Sequence, residues 1–204
     1  MGTRSRRATH LPAYGISPVA RPDSPKLEAM SDWNHNIAYR PWLMSKLKKT
    51  RSLLDVGSGD HSFAAYAGHQ VAHIDVVDPL INTRFEEFQP TQSYDAITFI
   101  ASLHHMNTEE ALTKALRLLN PGGKLLVVGL AKNKTATDWI ISGFQVLISR
   151  LLGLINNEQQ NYLFPTKEPA ESLREIRKLT KRLLPHRRIR RGIYFRYLLE
   201  WTKP

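Results

Sequence analysis

A short apolar run that ends in Gly-Ser-Gly is the feature that most constrains the fold of this chain. Residues 52–56 predict a β-strand, and residues 63–67 predict a helix that stops at Gly68. Gly57 and Gly59 lie between them, where glycine tolerates the dihedrals of a tight turn and lets a ligand approach the backbone closely. The sequence therefore predicts a β-turn-α unit with a ligand-facing turn.

Strand and helix patterns continue to alternate along the chain. Residues 71–75 predict a second strand that ends at Asp75, and residues 94–100 and 124–130 predict two more. Before the last of these, Asn107 is placed to cap a helix with one apolar face. Such alternation favours a parallel sheet with helices on both faces, in which ligands bind beyond the carboxyl ends of the strands.

The flanks of this region carry further elements. Residues 32–49 have helical character, and Pro41 requires a break or a new start within them. Residues 169–184 predict a helix with one apolar side, and residues 188–201 predict a hairpin that turns near Gly192. With 204 residues, 42% of them hydrophobic, the chain can bury the core of one α/β domain.

The domain organisation follows from these patterns. We expect residues 1–30 to form a flexible basic leader and residues 31–204 to form a single domain. Residues 138–165 predict a helical insertion or lid over the cleft, where Trp139 and Phe144 would favour an apolar or aromatic small molecule over nucleic acid. Weak contact of this helix with a membrane surface is the alternative, although its polar residues make it a poor membrane span.

Charge and cysteine content limit the partners and the chemistry. The formal net charge of +11 favours acidic partners, but much of the excess lies at the two ends of the chain. That distribution fits a basic tail and a solvated strand face better than a nucleic-acid site. Cysteine is absent, which excludes disulfides, thiolate zinc sites and a cysteine nucleophile. We expect a cytoplasmic location.

An acid follows the glycine turn at an informative distance. Asp75 comes twenty residues after the acid of the turn, at the predicted end of the next strand, where a carboxylate can accept hydrogen bonds from both hydroxyls of a ribose. The pair indicates a cofactor that contains a nucleoside. A nicotinamide dinucleotide is disfavoured, because Asp60 and His61 follow the second glycine and the dinucleotide spacing with a further glycine is absent.

Four stretches of the sequence carry a family resemblance: LLDVGSGD, VAHIDVVD, SYDAITFIASLHHM and LRLLNPGGKLLVVGLAK. Their series closely resembles the class I S-adenosylmethionine-dependent methyltransferases, especially small bacterial ones with a Leu-His-His-Met segment, and the resemblance covers residues 32–204. It implies a three-layer, Rossmann-like α/β sandwich with a mostly parallel seven-stranded sheet and an antiparallel strand from the C-terminal hairpin. It also implies S-adenosyl-L-methionine as cofactor and a small-molecule methyl acceptor, and it leaves the oligomeric state open.

The resemblance further implies which residues bind the cofactor. Gly57 and Gly59 would pass under its methionine part. Asp75 would hold the ribose, Val76 would pack on the adenine, and Tyr39 would cover the cofactor from the N-terminal helix. The complete set of implied cofactor-binding residues is Asn36, Tyr39, Asp55, Gly57, Ser58, Gly59, Asp75, Val76, Phe85, Glu86, Ala101 and Ser102.

The sequence departs from the family pattern in three places. His61 stands where the family commonly has a third glycine, so its ring would crowd the carboxylate end of the cofactor. Residues 78–90 must replace a longer stretch that usually includes a helix. The acid that normally meets the adenine amino group is replaced by Arg84, unless Glu86 or Glu87 substitutes for it.

Two alternative functions stay open beside a small-molecule methyltransferase. The departures support a degenerate cofactor-binding protein without turnover. An RNA or DNA methyltransferase is less favoured, because residues 101–104 are not the Asn/Asp-Pro-Pro-Tyr-type tetrad that amino-directed enzymes often carry. Its signature would be steeply salt-dependent binding to nucleic acid.

His104 and His105 are the candidates for a general base. Imidazole can accept a proton from a hydroxyl, an amine or an acidic carbon at neutral pH. Adjacent residues after a strand point in different directions, so we expect one histidine to pack or to cap the next helix and the other to face the cleft. No metal is expected, since no carboxylate-histidine helix pair accompanies them.

Overall fold

The computed structural model describes residues 35–134, 167–193 and 196–204. The predicted leader and the predicted insertion over residues 138–165 lie outside the described residues. The helices are α1 (Arg40–Lys46), α2 (Ser62–Ala67), α3 (Thr108–Leu118) and α4 (Leu173–Leu183). The strands are β1 (Ser52–Val56), β2 (His73–Val77), β3 (Tyr94–Ile100), β4 (Leu119–Leu130), β5 (Arg188–Arg191) and β6 (Arg196–Thr202). Short 3-10 turns cover Ile37–Tyr39 and Leu103–His105.

The strands form one sheet in the order β2-β1-β3-β4-β6-β5. The first four strands of that order are parallel, and β6 is antiparallel to both of its neighbours. This confirms the predicted mostly parallel α/β sheet with an antiparallel C-terminal hairpin. The described residues hold six strands and not the predicted seven. Between β2 and β3, residues 78–93 form turns and no strand, and Phe85 and Phe88 there pack into the core.

Two apolar clusters lie on the two faces of the sheet. One packs α3 and α4 against side chains such as Leu54 and Phe99, and the other packs α1 and α2 against side chains such as Leu53 and Val128. Leu53 and Leu54 are adjacent and both fully buried, so they belong to opposite faces. A continuous apolar run is what a parallel strand covered by helices on both sides requires.

Local signals set the helix boundaries. The side chain of Asn107 accepts hydrogen bonds from the backbone N–H groups of Glu109 and Glu110, which confirms the predicted cap. Pro41 lies in the first turn of α1, where a missing N–H costs nothing, so it marks a new start. The predicted helix over 169–184 begins only at Leu173, because Ser172 forms the capping box that starts it.

Candidate functional site

The turn after β1 is fastened to the end of β2. Gly57 and Gly59 have φ values of +72° and +58°, which a residue with a side chain rarely adopts. The Gly57 N–H donates to the carbonyl of Val77 at 2.7 Å. The Gly59 N–H donates to Oδ2 of Asp78 at 3.0 Å. The two strand ends therefore meet through the backbone of the glycine turn.

Ser102 fixes the same turn from β3. Its Oγ donates to the carbonyl of Val56 at 2.5 Å, and a Cβ added to Gly57 would overlap the Cβ of Ser102. Ser102 is buried, whereas Ala101 before it is partly exposed and has a φ of +54°. Ser102 thus supports the shape of the turn, and Ala101 offers surface at the strand ends.

Asp75 does not lie at the end of β2, which corrects the sequence prediction. The strand continues through Val77, and Asp75 pairs with Leu54 inside the sheet. Its Oδ2 accepts hydrogen bonds from the Tyr94 hydroxyl at 2.5 Å and from Nε2 of Gln92 at 2.9 Å. A buried carboxylate can occupy a strand because these donors meet it.

Val76 is likewise displaced from the position predicted for it. It lies within β2 opposite Asp55 and is only 5% exposed, so it offers almost no surface to an adenine ring. Phe85 is 1% exposed and packs edge-on against Phe99 in the core, so it too offers almost no surface to a ligand. Glu86 stays exposed, and its carbonyl accepts a hydrogen bond from Nζ of Lys114.

Asp78 takes the strand-end position that the sequence analysis gave to Asp75. Its Oδ2 accepts from Gly59 N–H and its Oδ1 accepts from Leu80 N–H at 2.9 Å. Leu80 is 65% exposed and Ile81 is 44% exposed, so two large apolar side chains follow this buried acid directly. The signal in the sequence was the Asp-Pro pair after two valines, because Pro79 cannot continue the strand ladder.

Three buried polar atoms around the glycine turn have no hydrogen-bond partner among the described residues: Oδ2 of Asp55, Oγ of Ser58 and Nδ1 of His61. Oδ1 of Asp55 accepts from Oγ1 of Thr98 at 2.7 Å. Burial raises the pKa of Asp55, and the nearby hydroxyls of Thr98 and Ser58 oppose that shift, although the Ser58 hydroxyl does not reach the geometry of a hydrogen bond. Unsatisfied buried polar atoms are rare in proteins, so this cluster is a candidate site for polar groups of a ligand.

His61 stands at the start of α2 with a φ of +58°. This is the left-handed region that glycine adopts at little cost, which explains why the family pattern has glycine here. The residue is partly buried and its Nδ1 belongs to the unpartnered set. The ring therefore lies beside the turn, as the sequence analysis expected.

His104 and His105 share a 3-10 turn after β3, with ring centroids 4.1 Å apart. His105 is exposed, whereas Nδ1 of His104 is buried without a hydrogen-bond partner among the described residues. Burial lowers the pKa of His104 to about 4, and the charges of His105, Arg196 and Lys167 lower it further. His104 is therefore neutral at pH 7.

His104 lines a cavity of about 220 Å³ between β3, β4, β6 and the start of α4. Its lining combines apolar side chains with a few polar ones: Leu103, His104, Met106, Asn107, Thr108, Leu130, Lys167, Pro169, Ala170, Glu171, Ile176 and Tyr197. A cavity of this size at the carboxyl ends of parallel strands suits a small ligand.

Residues from the N-terminal segment reach the start of β6. The Tyr39 hydroxyl donates to the carbonyl of Ile193 at 2.5 Å, and Oδ1 of Asn36 accepts from Nη2 of Arg196 at 3.1 Å. Tyr39 is only 5% exposed, so it packs on this hairpin more than it covers an open surface. The sequence analysis did not single out Arg196 as a site residue, and no local motif signals it.

Metal-binding clusters and membrane-spanning helices are both absent from the described part of the chain. There, no group of three or more histidine, aspartate or glutamate side chains is placed to hold a metal ion. No helix within the described ranges is long and apolar enough to cross a membrane.

Comparison with known proteins gives a consistent family. Residues 28–159 match the model of a family described as a methyltransferase domain. An uncharacterized methyltransferase of Mycobacterium tuberculosis is 30% identical over 200 residues, which cover 84% of this chain and 98% of that protein. Its counterpart in Mycobacterium bovis matches equally well.

Solved structures share the fold at low sequence identity. An amino pentose methyltransferase of calicheamicin biosynthesis from Micromonospora echinaspora, bound to S-adenosylmethionine, has a TM-score of 0.54 at 11% identity over 84% of this chain and 92% of its own. A 1,6-didemethyltoxoflavin N1-methyltransferase from Burkholderia thailandensis, bound to S-adenosylhomocysteine, has a TM-score of 0.53 at 15% identity over 82% of this chain and 77% of its own.

Proposed function

The chain belongs to the methyltransferase-domain family, and from that premise we propose that it transfers a methyl group from S-adenosyl-L-methionine to a small-molecule acceptor. One observation carries the assignment of the cofactor site. The ends of β1, β2 and β3 meet at a glycine turn that is surrounded by unpartnered buried polar atoms, with an acid and exposed apolar side chains directly beyond it.

The residues present fit the cofactor from one end to the other. Asp55, Ser58 and His61 offer an acidic acceptor, a hydroxyl and an imidazole, which suit the ammonium and carboxylate of a methionine moiety. Asp78 holds the strand-end position from which a carboxylate binds ribose hydroxyls. Leu80 and the adjacent Ile81 offer apolar surface for an adenine ring. We therefore assign the ribose to Asp78 and not to Asp75.

The bound cofactor supplies a methyl group that is already activated by its positive sulfur. The protein has to position the acceptor and keep water away from it. His104 is the internal proton acceptor of this arrangement, since its buried imidazole is neutral and its Nδ1 is unpartnered. His105 is exposed, so we give it no role in proton transfer.

The size and lining of the cavity support a small acceptor with an apolar part. Leu103, Met106, Leu130 and Ile176 contribute apolar surface to it. The predicted lid over residues 138–165, with its apolar side chains, lies outside the described residues. Nucleic acid stays the less favoured partner and a cytoplasmic location stays a prediction.

Calorimetric titration of the full chain with S-adenosylmethionine and S-adenosylhomocysteine, with NADH as control, tests the proposal. We expect micromolar binding of the first two compounds and none of NADH. Release of S-adenosylhomocysteine would then be measured with a panel of small phenols, amines and carboxylic acids. Binding without turnover across the panel would support the degenerate alternative, and absence of binding would contradict the proposal. Tight, steeply salt-dependent binding of RNA or DNA would favour the nucleic-acid alternative.

A further inference from the structure

We call the edge of the sheet at which the parallel strands end the ligand edge. Arg196 lies on this edge, at the end that we assign to the methyl acceptor. It is the first residue of β6 and pairs with Leu130, the last residue of β4, so its backbone lies where the parallel strands end. Leu130 and Tyr197, its cross-strand and chain neighbours, both line the 220 Å³ cavity. Arg196 does not itself line the cavity, but it lies next to these two residues at the edge of the space that we assign to the methyl acceptor.

The guanidinium of Arg196 is only partly satisfied. Nη2 donates to Oδ1 of Asn36 at 3.1 Å, whereas Nε is buried and has no hydrogen-bond partner among the described residues. Burial lowers the pKa of Arg196 to about 10, a shift that the nearby Tyr39 opposes, so the group stays charged at neutral pH.

The carboxylates that form ion pairs in the described part of the chain bind other cations. These pairs are Lys46 with Glu200, His73 with Asp75, Lys134 with Glu175, and Arg182 with Glu109. A buried charge without a counter-ion is expensive, and proteins keep such groups where a ligand pairs with them.

Charged groups of both signs lie around this end of the cavity. Arg196 and Lys167 each lower the pKa of His104, which places two positive charges near the imidazole. Glu171 also lines the cavity, but its Oε2 accepts a hydrogen bond from the Thr108 hydroxyl at 2.5 Å. The negative charge of Asp78 acts on the exposed His105 instead, where it opposes the burial that lowers the pKa of His105. The acceptor end thus holds one carboxylate, two cations and, at Nε of Arg196, a buried donor without an acceptor among the described residues.

Resting on the methyltransferase function above, we propose that the methyl acceptor carries a carboxylate, which binds Nε and a second N–H of Arg196 while Lys167 supplies further positive charge. A guanidinium presents parallel N–H groups that match the two oxygens of a carboxylate. Asn36 holds the fork in place through Nη2. Arg196 is then a specificity-determining residue, and the N-terminal segment acts through it as a positioning element.

A bound carboxylate would also act on His104, whose pKa is lowered mainly by burial and further by nearby positive charges. A bound carboxylate would offset the positive charges that lower the pKa of His104, and the imidazole would regain part of its usual basicity only when the acceptor is present. The pKa of His104 is therefore a second quantity to measure, since it would not change on ligand binding if Arg196 had only a structural role.

The experiment uses the full chain saturated with S-adenosylhomocysteine and three probes of similar size: benzoate, benzamide and phenyl phosphate. Affinities are measured by NMR titration, and the His104 ring is followed by its proton-nitrogen correlations. The test variant is Arg196→Gln, and the matched control is Arg190→Gln, which removes an equal charge from an exposed position on β5. Arg196→Lys, which keeps the charge but lacks the fork, is the second variant in case Arg196→Gln does not fold.

We expect benzoate to bind at least tenfold more tightly than benzamide and to raise the pKa of His104. Arg196→Gln should weaken benzoate about 10- to 100-fold and abolish the shift of His104, with a smaller loss in Arg196→Lys and none in Arg190→Gln. Equal affinity for benzoate and benzamide, tighter binding of phenyl phosphate, or an equal loss in Arg190→Gln would overturn the proposal. Failure of the wild-type chain to bind S-adenosylhomocysteine would instead contradict the proposed function.

Discussion

The two halves of the ligand edge are built from different groups. At the ends of β1 and β2, backbone N–H groups and the carboxylate of Asp78 fix a turn whose shape depends on Gly57 and Gly59. At the end of β4 and the start of β6, the site depends on long side chains, and Arg196 meets Asn36 across 160 positions of sequence. A backbone-built half suits a cofactor that is common to a family, whereas a side-chain-built half can change its ligand by substitution.

The largest effect is expected where the cofactor half admits no side chain. Gly57→Ala combines a positive φ with overlap on Ser102, so it should lower the free energy of unfolding by about 3 kcal/mol. Gly122→Ala is the matched control, because Gly122 has a φ of +75° but no atom within 4 Å of an added Cβ. It should cost only about 1 kcal/mol. Chemical denaturation measures both, and equal losses would show that contact with Ser102 does not matter.

A second prediction distinguishes a structural role of Asp75 inside the sheet from a role in binding the cofactor. Tyr94→Phe removes the hydroxyl that donates to Asp75, and it should lower the free energy of unfolding by about 2 kcal/mol while leaving the affinity for S-adenosylhomocysteine unchanged. Tyr66→Phe, at a side chain that is 37% exposed, should change neither quantity. If Tyr94→Phe reduced the affinity severalfold, Asp75 would belong to the cofactor site after all.

The acceptor half should respond to pH. His104 has a folded-state pKa of about 4, below the unfolded value, so protonation favours the unfolded chain. Its contribution to stability is complete above pH 6.5 and is lost as the pH falls toward 4. Because His104 is partly exposed, we expect a loss of about 1 kcal/mol. Urea denaturation should show that the free energy of unfolding changes less between pH 7 and pH 5 in His104→Gln than in the exposed His105→Gln. Equal changes in the two variants would contradict this account.

The smallest effect concerns His61. Glycine at this position relieves a positive φ but loses chain entropy, so His61→Gly should raise the free energy of unfolding by about 0.5 kcal/mol. The variant also loses a buried Nδ1, and we expect its affinity for S-adenosylmethionine to fall severalfold. A rise in affinity would show that the ring crowds the cofactor and does not bind it. Calorimetry and denaturation of the same samples give both values.

Elements whose signals are local could be predicted from the sequence. β1, β3 and the Asn107 cap agree with the structure because their apolar runs, glycines and capping side chain act within a few residues. β2 was misplaced because Asp75 looks like the end of a strand. Its acceptance inside the sheet depends on Tyr94, which is nineteen positions away and which no local pattern links to it.

The candidate site divides in the same way. The glycine turn and its acid are a motif with fixed spacing, so the sequence indicated the cofactor class, although it placed Asp75 at a strand end that the structure gives to Asp78. The surroundings of Arg196 depend on contacts between both ends of the domain. Such contacts follow from the packing of the hairpin on the N-terminal segment, and single-sequence patterns do not encode them.

The assignment of Asp78 as the ribose-binding acid is the central claim, and one pair of titrations tests it most directly. Calorimetry with S-adenosylhomocysteine would compare the wild-type chain with Asp78→Asn and Asp75→Asn, with thermal denaturation of each. We predict that Asp78→Asn weakens binding about 10- to 100-fold, since it loses charge-assisted hydrogen bonds. Asp75→Asn should lower stability and keep its affinity. Loss of binding in Asp75→Asn together with full affinity in Asp78→Asn would contradict the account.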